Sequence, residues 1–147
     1  MNQIRPWLYI GRQRDTEDQN LLEKHQIDAM LQLAERVDQP QIDSLYLAVK
    51  DGELLPHALL KEGIDFVKSN KELGKNILVA CKAGISRSAA FAIAVLKEVE
   101  QITLFEAFRE VKQFHPDTLP QAEVWLSLCI YYREHVAFSD LTRIHNS

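Results

Sequence analysis

Asn76-Ile77-Leu78-Val79-Ala80-Cys81-Lys82-Ala83-Gly84-Ile85-Ser86-Arg87-Ser88 is the stretch whose reading decides the fold. Ile77 to Ala80 is a short apolar run with Gly74 and Asn76 before it, the pattern of a buried strand. Arg87 to Val99 reads as a helix with Ala, Leu, Ile and Val on nearly every side, so it should be buried all round. The link between them is too short for a cage of side chains. It has the right length for a ring of backbone N–H groups closing on a helix N-terminus, which is an anion site. Arg87 adds a planar fork for two oxyanion oxygens. Cys81 stands at the base of this ring, where a helix N-terminus and a nearby cation favour thiolate over thiol. A thiolate facing a bound phosphate monoester can attack phosphorus and form a covalent phosphocysteine. The bland alternative is a small buried Cys beside an ion-paired Arg.

The 147 residues suffice for one domain with a real core and are short for two. A formal net charge of −4 argues against non-specific nucleic-acid binding, which wants a basic surface. It leaves room for a local positive pocket. Cys81 and Cys129 are far apart and form no Cys-x-x-Cys pattern, so neither a disulfide framework nor a zinc site is expected. The five histidines show no ligand spacing, and no metal or other cofactor is expected. No charged start with an apolar core marks a secretory leader, and no apolar run reaches membrane-spanning length. These features read as a soluble cytoplasmic protein without membrane insertion.

Ile4 to Gly11 reads as an opening strand, and Asp15-Thr16-Glu17-Asp18 as the start of a helix reaching about His25. Ile27 to Leu33 and Ser44 to Val49 are further strands, the latter broken by Asp51-Gly52. Leu54 to Asn70 is helical, with Pro56 near its first turn. Thr103 to Phe114 is a helix opened by a Thr103/Glu106 capping box. Pro120 opens the next, which runs to about Tyr132. Residues 137–147 form a polar tail, docked or frayed. The whole predicts a single α/β domain over residues 1–147, its central, mainly parallel twisted sheet of four to five strands flanked by helices. One helix links the strand at Ser44–Val49 to that at Ile77–Ala80, so the two should run parallel. Ligands of open α/β sheets sit at the carboxyl edge. Asp51 lies just past one strand end and Cys81 past the other, so topology brings this carboxyl toward this thiol.

Cys81-Lys82-Ala83-Gly84-Ile85-Ser86-Arg87-Ser88 resembles the Cys-x5-Arg-Ser/Thr signature of cysteine-dependent protein tyrosine phosphatases, and specifically the dual-specificity branch in its atypical, catalytic-domain-only form. The resemblance covers roughly Ile4 to Tyr132. Trp7-Leu8-Tyr9-Ile10-Gly11 is similar to the family's opening strand, Val49-Lys50-Asp51 to the segment that carries its general acid, and His115-Pro116 with Pro120 to its Pro-containing turn. The resemblance implies Cys81 as nucleophile, Arg87 as phosphate binder, Asp51 as general acid and Ser88 as the hydroxyl that assists breakdown of the phosphocysteine. Lys82, Ala83, Gly84, Ile85, Ser86 and Arg87 would supply the substrate cradle. Glu53 is the nearest rival to Asp51. Arg12 and Arg14 offer a basic rim, or a solvated loop charge. Cys129 reads as a buried structural thiol. Two departures stand out: Ala80 occupies the place of the usual His before the nucleophile, and Gln121 that of a frequent Asn.

Nothing in the chain resembles the loop that deepens the pocket of tyrosine-specific relatives. The expected substrates are therefore phosphorylated proteins or peptides, on Tyr and on Ser/Thr. Phosphate, sulfate, vanadate or tungstate is the expected active-site anion. Cys81-Lys82-Ala83-Gly84 is similar to the start of the inositide-phosphatase loop, but Ile85 stands where those enzymes carry a second Lys. A phosphoinositide phosphatase and a phospho-binding module with little turnover are the alternatives.

Overall fold

The computed structural model describes residues 1–147. Its strands are β1 (Asn2–Arg5), β2 (Leu8–Arg12), β3 (Ala29–Gln32), β4 (Asp43–Tyr46) and β5 (Ile77–Cys81). They form one sheet in the order β1-β2-β5-β3-β4. β5 lies at the centre with β2 and β3 parallel on its two sides, and β4 runs parallel to β3. Every residue of β5 is buried, as a strand covered on both faces must be. Side chains alternate across it. Ile77, Val79 and Cys81 join the main core, whereas Leu78 and Ala80 join a smaller cluster with Tyr9, Leu22, Ile27 and Met30 on the other face.

The helices are α1 (Gln13–Glu17), α2 (Gln19–Lys24), α3 (His57–Glu72), α4 (Arg87–Glu100), α5 (Leu104–Phe114), α6 (Ala122–Tyr132) and α7 (Phe138–His145). Residues Ser88 to Leu96 of α4 are all buried, which accounts for its apolar character on every side. The alanines at 89, 90, 92 and 94 let neighbouring elements approach its backbone. α5 begins at the expected capping box: Glu106 N donates to Thr103 Oγ1 and Thr103 N to Glu106 Oε2.

Three expectations need correction, and the tail, left open between docked and frayed, is docked. The single opening strand is two, β1 and β2, paired antiparallel with Arg5 opposite Leu8. Pro6 and Trp7 form the turn, because proline has no N–H to give a ladder. The helix expected from Asp15 onward is two short helices. Asp18 ends the first and caps the second, its Oδ1 accepting from Leu21 N. The third strand leaves the ladder after Tyr46, and Leu47 and Val49 turn into the core instead. Residues 138–145 of the polar tail are helical and docked. Leu141 is fully buried, Phe138 and Ile144 pack on the core, and Trp125 Nε1 donates to Val136 O just ahead of α7.

α3 and α4 meet at Gly63. A Cβ there would lie 2.4 Å from Phe91 Cε1 and 3.2 Å from a methyl of Leu47, in a fully packed region. In an open helix Gly→Ala gains roughly 1 kcal/mol from propensity. At Gly63 the overlap with a buried ring reverses the sign, and Gly63→Ala should lose about 1–3 kcal/mol. Urea unfolding of the two proteins measures this directly, and a stabilised variant would contradict the packing described.

Candidate active site

β5 delivers Cys81 to the carboxyl edge of the sheet, and α4 starts six residues later at Arg87. Residues 82–86 join them. Gln13 N donates to Lys82 O at 3.4 Å, and Leu119 N to Ile85 O at 3.1 Å. His115 Nε2 donates to Gly84 O at 2.5 Å. Three carbonyls of the loop are thus drawn outward by three separate parts of the chain. No peptide bond in the chain is cis. In a trans peptide the N–H points opposite the C=O, so the N–H groups of Ala83, Ile85 and Ser86 turn to the loop's interior. Gly84 N points inward too and donates to Cys81 Sγ at 3.2 Å.

Gly84 makes this shape possible. Its φ is +72°, and a Cβ would lie 3.0 Å from Gly11 O, so the loop is pressed against the end of β2. Ser88 Oγ, fully buried on the first turn of α4, lies 3.1 Å from Cys81 Sγ. The sulfur therefore has a hydroxyl and an amide beside it, both able to donate to a thiolate, at the positive end of a buried helix.

Arg87 is held from the other side. Its Nη1 donates to Val49 O at 2.8 Å and to Leu33 O at 3.4 Å. The short β4 matters here, because the chain that leaves the sheet at Tyr46 supplies that carbonyl. Arg87 Nε is buried and has no hydrogen-bond partner. A buried donor without a partner costs roughly 1–3 kcal/mol, which an oxyanion at that edge would recover.

Asp51 sits in the turn after Val49 and is exposed. Its Oδ1 accepts from Ser86 Oγ at 2.7 Å, and Ser86 Oγ accepts in turn from Gln121 N at 2.9 Å. Ser86 thus joins the 82–86 loop to the Asp51 turn and to the cap of α6. Asp51-Gly52 is also the turn that its sequence suggests, with Gly52 at φ +81°. Lys82, Ala83 and Ile85 are exposed on the loop. Arg12 ends β2 opposite Cys81, with its Cγ 3.4 Å from the place of a Gly84 Cβ. Arg14 lies on α1 and is exposed. Ala80 points away from Cys81, into the small cluster on the opposite face of the sheet. Cys129 is buried on α6, bonded to Val136 O, and burial pushes its thiol pKa up. No group of three or more His, Cys, Asp or Glu side chains is placed to hold a metal ion.

His115 and the carbonyls of Leu33 and Val49 are site residues that sequence reasoning did not find. A carbonyl leaves no trace in a residue pattern, and His115 reads as the end of α5 and part of a Pro-containing turn, with no sign of its contact to the loop.

A central parallel strand ending in a thiol, beside a loop whose carbonyls are held outward and a half-buried arginine, gives an α/β domain with a site at the carboxyl edge of its sheet that can take an anion. Residues 8–134 match the family model described as "Dual specificity phosphatase, catalytic domain". The chain is 33% identical over 122 residues to human dual specificity protein phosphatase 16, covering 80% of this chain but only 18% of that protein's length. The crystal structure of human DUSP28 superposes with a TM-score of 0.83 at 25% identity, covering 90% of this chain and 96% of that one. A mouse putative dual specificity phosphatase, crystallised in complex with zinc tungstate, superposes with a TM-score of 0.82 at 28% identity, covering 90% and 86%. The chain belongs to the dual specificity phosphatase family and carries its catalytic-domain fold.

Burial pushes the His115 pKa below the ordinary histidine value, and the hydrogen bond to Gly84 O opposes this in part. Asp117 also raises it, and Arg12 lowers it. The folded protein therefore takes up a proton on this imidazole at lower pH than the unfolded chain, which does so near pH 6.5. The stability from neutral His115 is complete above that pH and is lost as pH falls below it. The urea midpoint should be lower at pH 5.5 than at pH 7.5, and the drop should shrink in His115→Gln. An equal drop in both proteins would assign it to other groups.

Proposed function

We propose that this chain hydrolyses phosphate monoesters through a phosphocysteine, acting on phosphorylated Tyr, Ser and Thr of proteins or peptides. The observation that carries the reading is the set of amides turned inward around Cys81 Sγ. They are donors held in place by the fold's own hydrogen bonds, and fixed donors of this kind stabilise the charge that develops on a transferring phosphoryl group. The unpartnered Arg87 Nε and the tungstate complex of the mouse neighbour support an oxyanion in the same place.

In the first step Cys81 Sγ forms a bond to phosphorus as the ester P–O bond breaks. Asp51 gives its proton to the departing oxygen. In the second, Asp51 takes a proton from water, the water oxygen bonds to phosphorus, and the S–P bond breaks to release phosphate and thiolate. Ser88 Oγ donates to the sulfur as negative charge returns to it. Arg87 and the inward N–H groups of Ala83, Ile85 and Ser86 hold the three equatorial oxygens throughout. The exposed Lys82, Ala83 and Ile85 leave the mouth of the site accessible, which suits several phosphoamino acids.

Three proteins test this with aryl phosphates of graded leaving-group acidity. Cys81→Ser should abolish turnover and still bind tungstate. Asp51→Asn should slow poor leaving groups by about 100-fold or more, and good ones far less. An equal slowdown across the series would remove Asp51 from the acid role. A wild type that binds tungstate but never turns over would make the chain a phospho-binding module. Phosphopeptides and phosphoinositides assayed side by side decide the substrate class, and preference for the lipids would overturn the protein-phosphatase reading.

A further inference from the structure

His115 is 8% exposed and lies outside the Cys81–Ser88 segment, yet it touches the loop at Gly84 O. A carbonyl only accepts, so Nε2 carries the proton. The other ring nitrogen is also engaged: Asn2 Nδ2 donates to His115 Nδ1 at 2.7 Å. An amide N–H at that position requires an unprotonated Nδ1. The two contacts together select one neutral tautomer, with Nε2–H facing the loop.

The segment bearing His115 is itself fixed. Thr118 N and Thr118 Oγ1 both donate to His115 O, at 3.0 and 2.7 Å. Lys112 Nζ donates to Pro116 O at 2.6 Å and to Thr118 O at 3.0 Å. The imidazole is thus a rigid donor delivered from the α5–α6 connection to the outer side of the loop.

Its partner is the most adaptable peptide of that loop. Gly84 has no Cβ and sits at positive φ, so the plane joining it to Ile85 can rotate more freely than its neighbours. If that plane flipped, Ile85 N–H would point outward and Gly84 O would point at the bound oxyanion. We propose that His115 is a positioning residue of the oxyanion cradle: by holding Gly84 O outward it keeps Ile85 N–H aimed at the anion. This inference rests on the phosphatase reading above and adds a residue to it. His115 touches neither substrate nor sulfur; it acts through one peptide plane. Leu119 N holds Ile85 O in the same manner, but removing a main-chain donor needs proline, which also restrains the backbone, whereas His115 is a side chain that can be exchanged.

The experiment compares wild type, His115→Leu and His115→Gln. Leucine keeps apolar volume and removes the donor, and glutamine can place an amide N–H near Nε2. Tungstate affinity and thermal midpoint are measured for each, together with kcat and KM. His115→Leu should bind tungstate roughly tenfold more weakly, the weight of one lost charge-assisted hydrogen bond. It should lose kcat more than it raises KM. His115→Gln should recover tungstate affinity to within about threefold of wild type. Full tungstate affinity in His115→Leu overturns the inference, as does equal weakening in both variants. Should His115→Leu not fold, the imidazole nitrogens of the wild type report directly. NMR of 15N-histidine-labelled protein should show a neutral Nε2–H tautomer whose resonances shift when tungstate binds, and an Nδ1–H tautomer or no shift overturns the inference. A wild type that neither binds tungstate nor turns over overturns the phosphatase reading itself, whereas normal wild-type binding matched by His115→Leu overturns only the role of His115.

Discussion

A peptide unit cannot turn its carbonyl and its N–H to the same side, and the loop at residues 82–86 is shaped by that constraint. Gln13 N, His115 Nε2 and Leu119 N each hold one of its carbonyls from outside. Those donors come from the start of α1 and from the connection between α5 and α6. The sheet order brings the first within reach, because β2 lies beside β5 and Arg12 is paired with Cys81. The buried packing of α5 and α6 around α4 brings the others. Scaffold and site are therefore joined through a few backbone contacts. The fold contributes to the chemistry by deciding which way five residues of main chain face.

The same logic holds Arg87. Its guanidinium is set by the carbonyls of Val49 and Leu33, both on chain leaving the carboxyl edge of the sheet. Long side chains lose considerable rotamer freedom when fixed, about 2 kcal/mol for Arg. Two main-chain acceptors take up part of that loss here, so the cation is fixed by the fold itself beside the loop and the thiol at the end of β5.

Much of this was legible in the sequence because it is contiguous. A strand, a thiol, a short loop and a buried helix lie within residues 76–99, and period and composition reveal each of them. The approach of Asp51 to the loop was legible through topology, since two parallel strands end on one edge. The contacts that shape the loop were not. His115 meets Gly84 across 31 positions and Arg87 meets Val49 across 38, with no periodicity to announce either. Local misreadings have local causes. Pro6 interrupts an apolar run without changing its character, so a hairpin looks like one strand in the sequence. Phe138, Leu141 and Ile144 make a stripe of only three residues in a polar setting. Asp18 both ends and begins a helix, and such a joint looks continuous in a helical pattern.

Ser86 carries a consequence of its own. A hydroxyl has one proton, and that of Ser86 is given to Asp51 while its lone pair receives Gln121 N. The group thus has no spare proton for a newcomer. An acceptor that claimed that proton would have to displace the carboxylate, so a bond from Ser86 to Asp51 and a bond from Ser86 to any other oxygen are competing uses of a single hydrogen. One buried oxygen thus ties the Asp51 turn, the loop and the cap of α6 together through a proton and a lone pair that are both already in use.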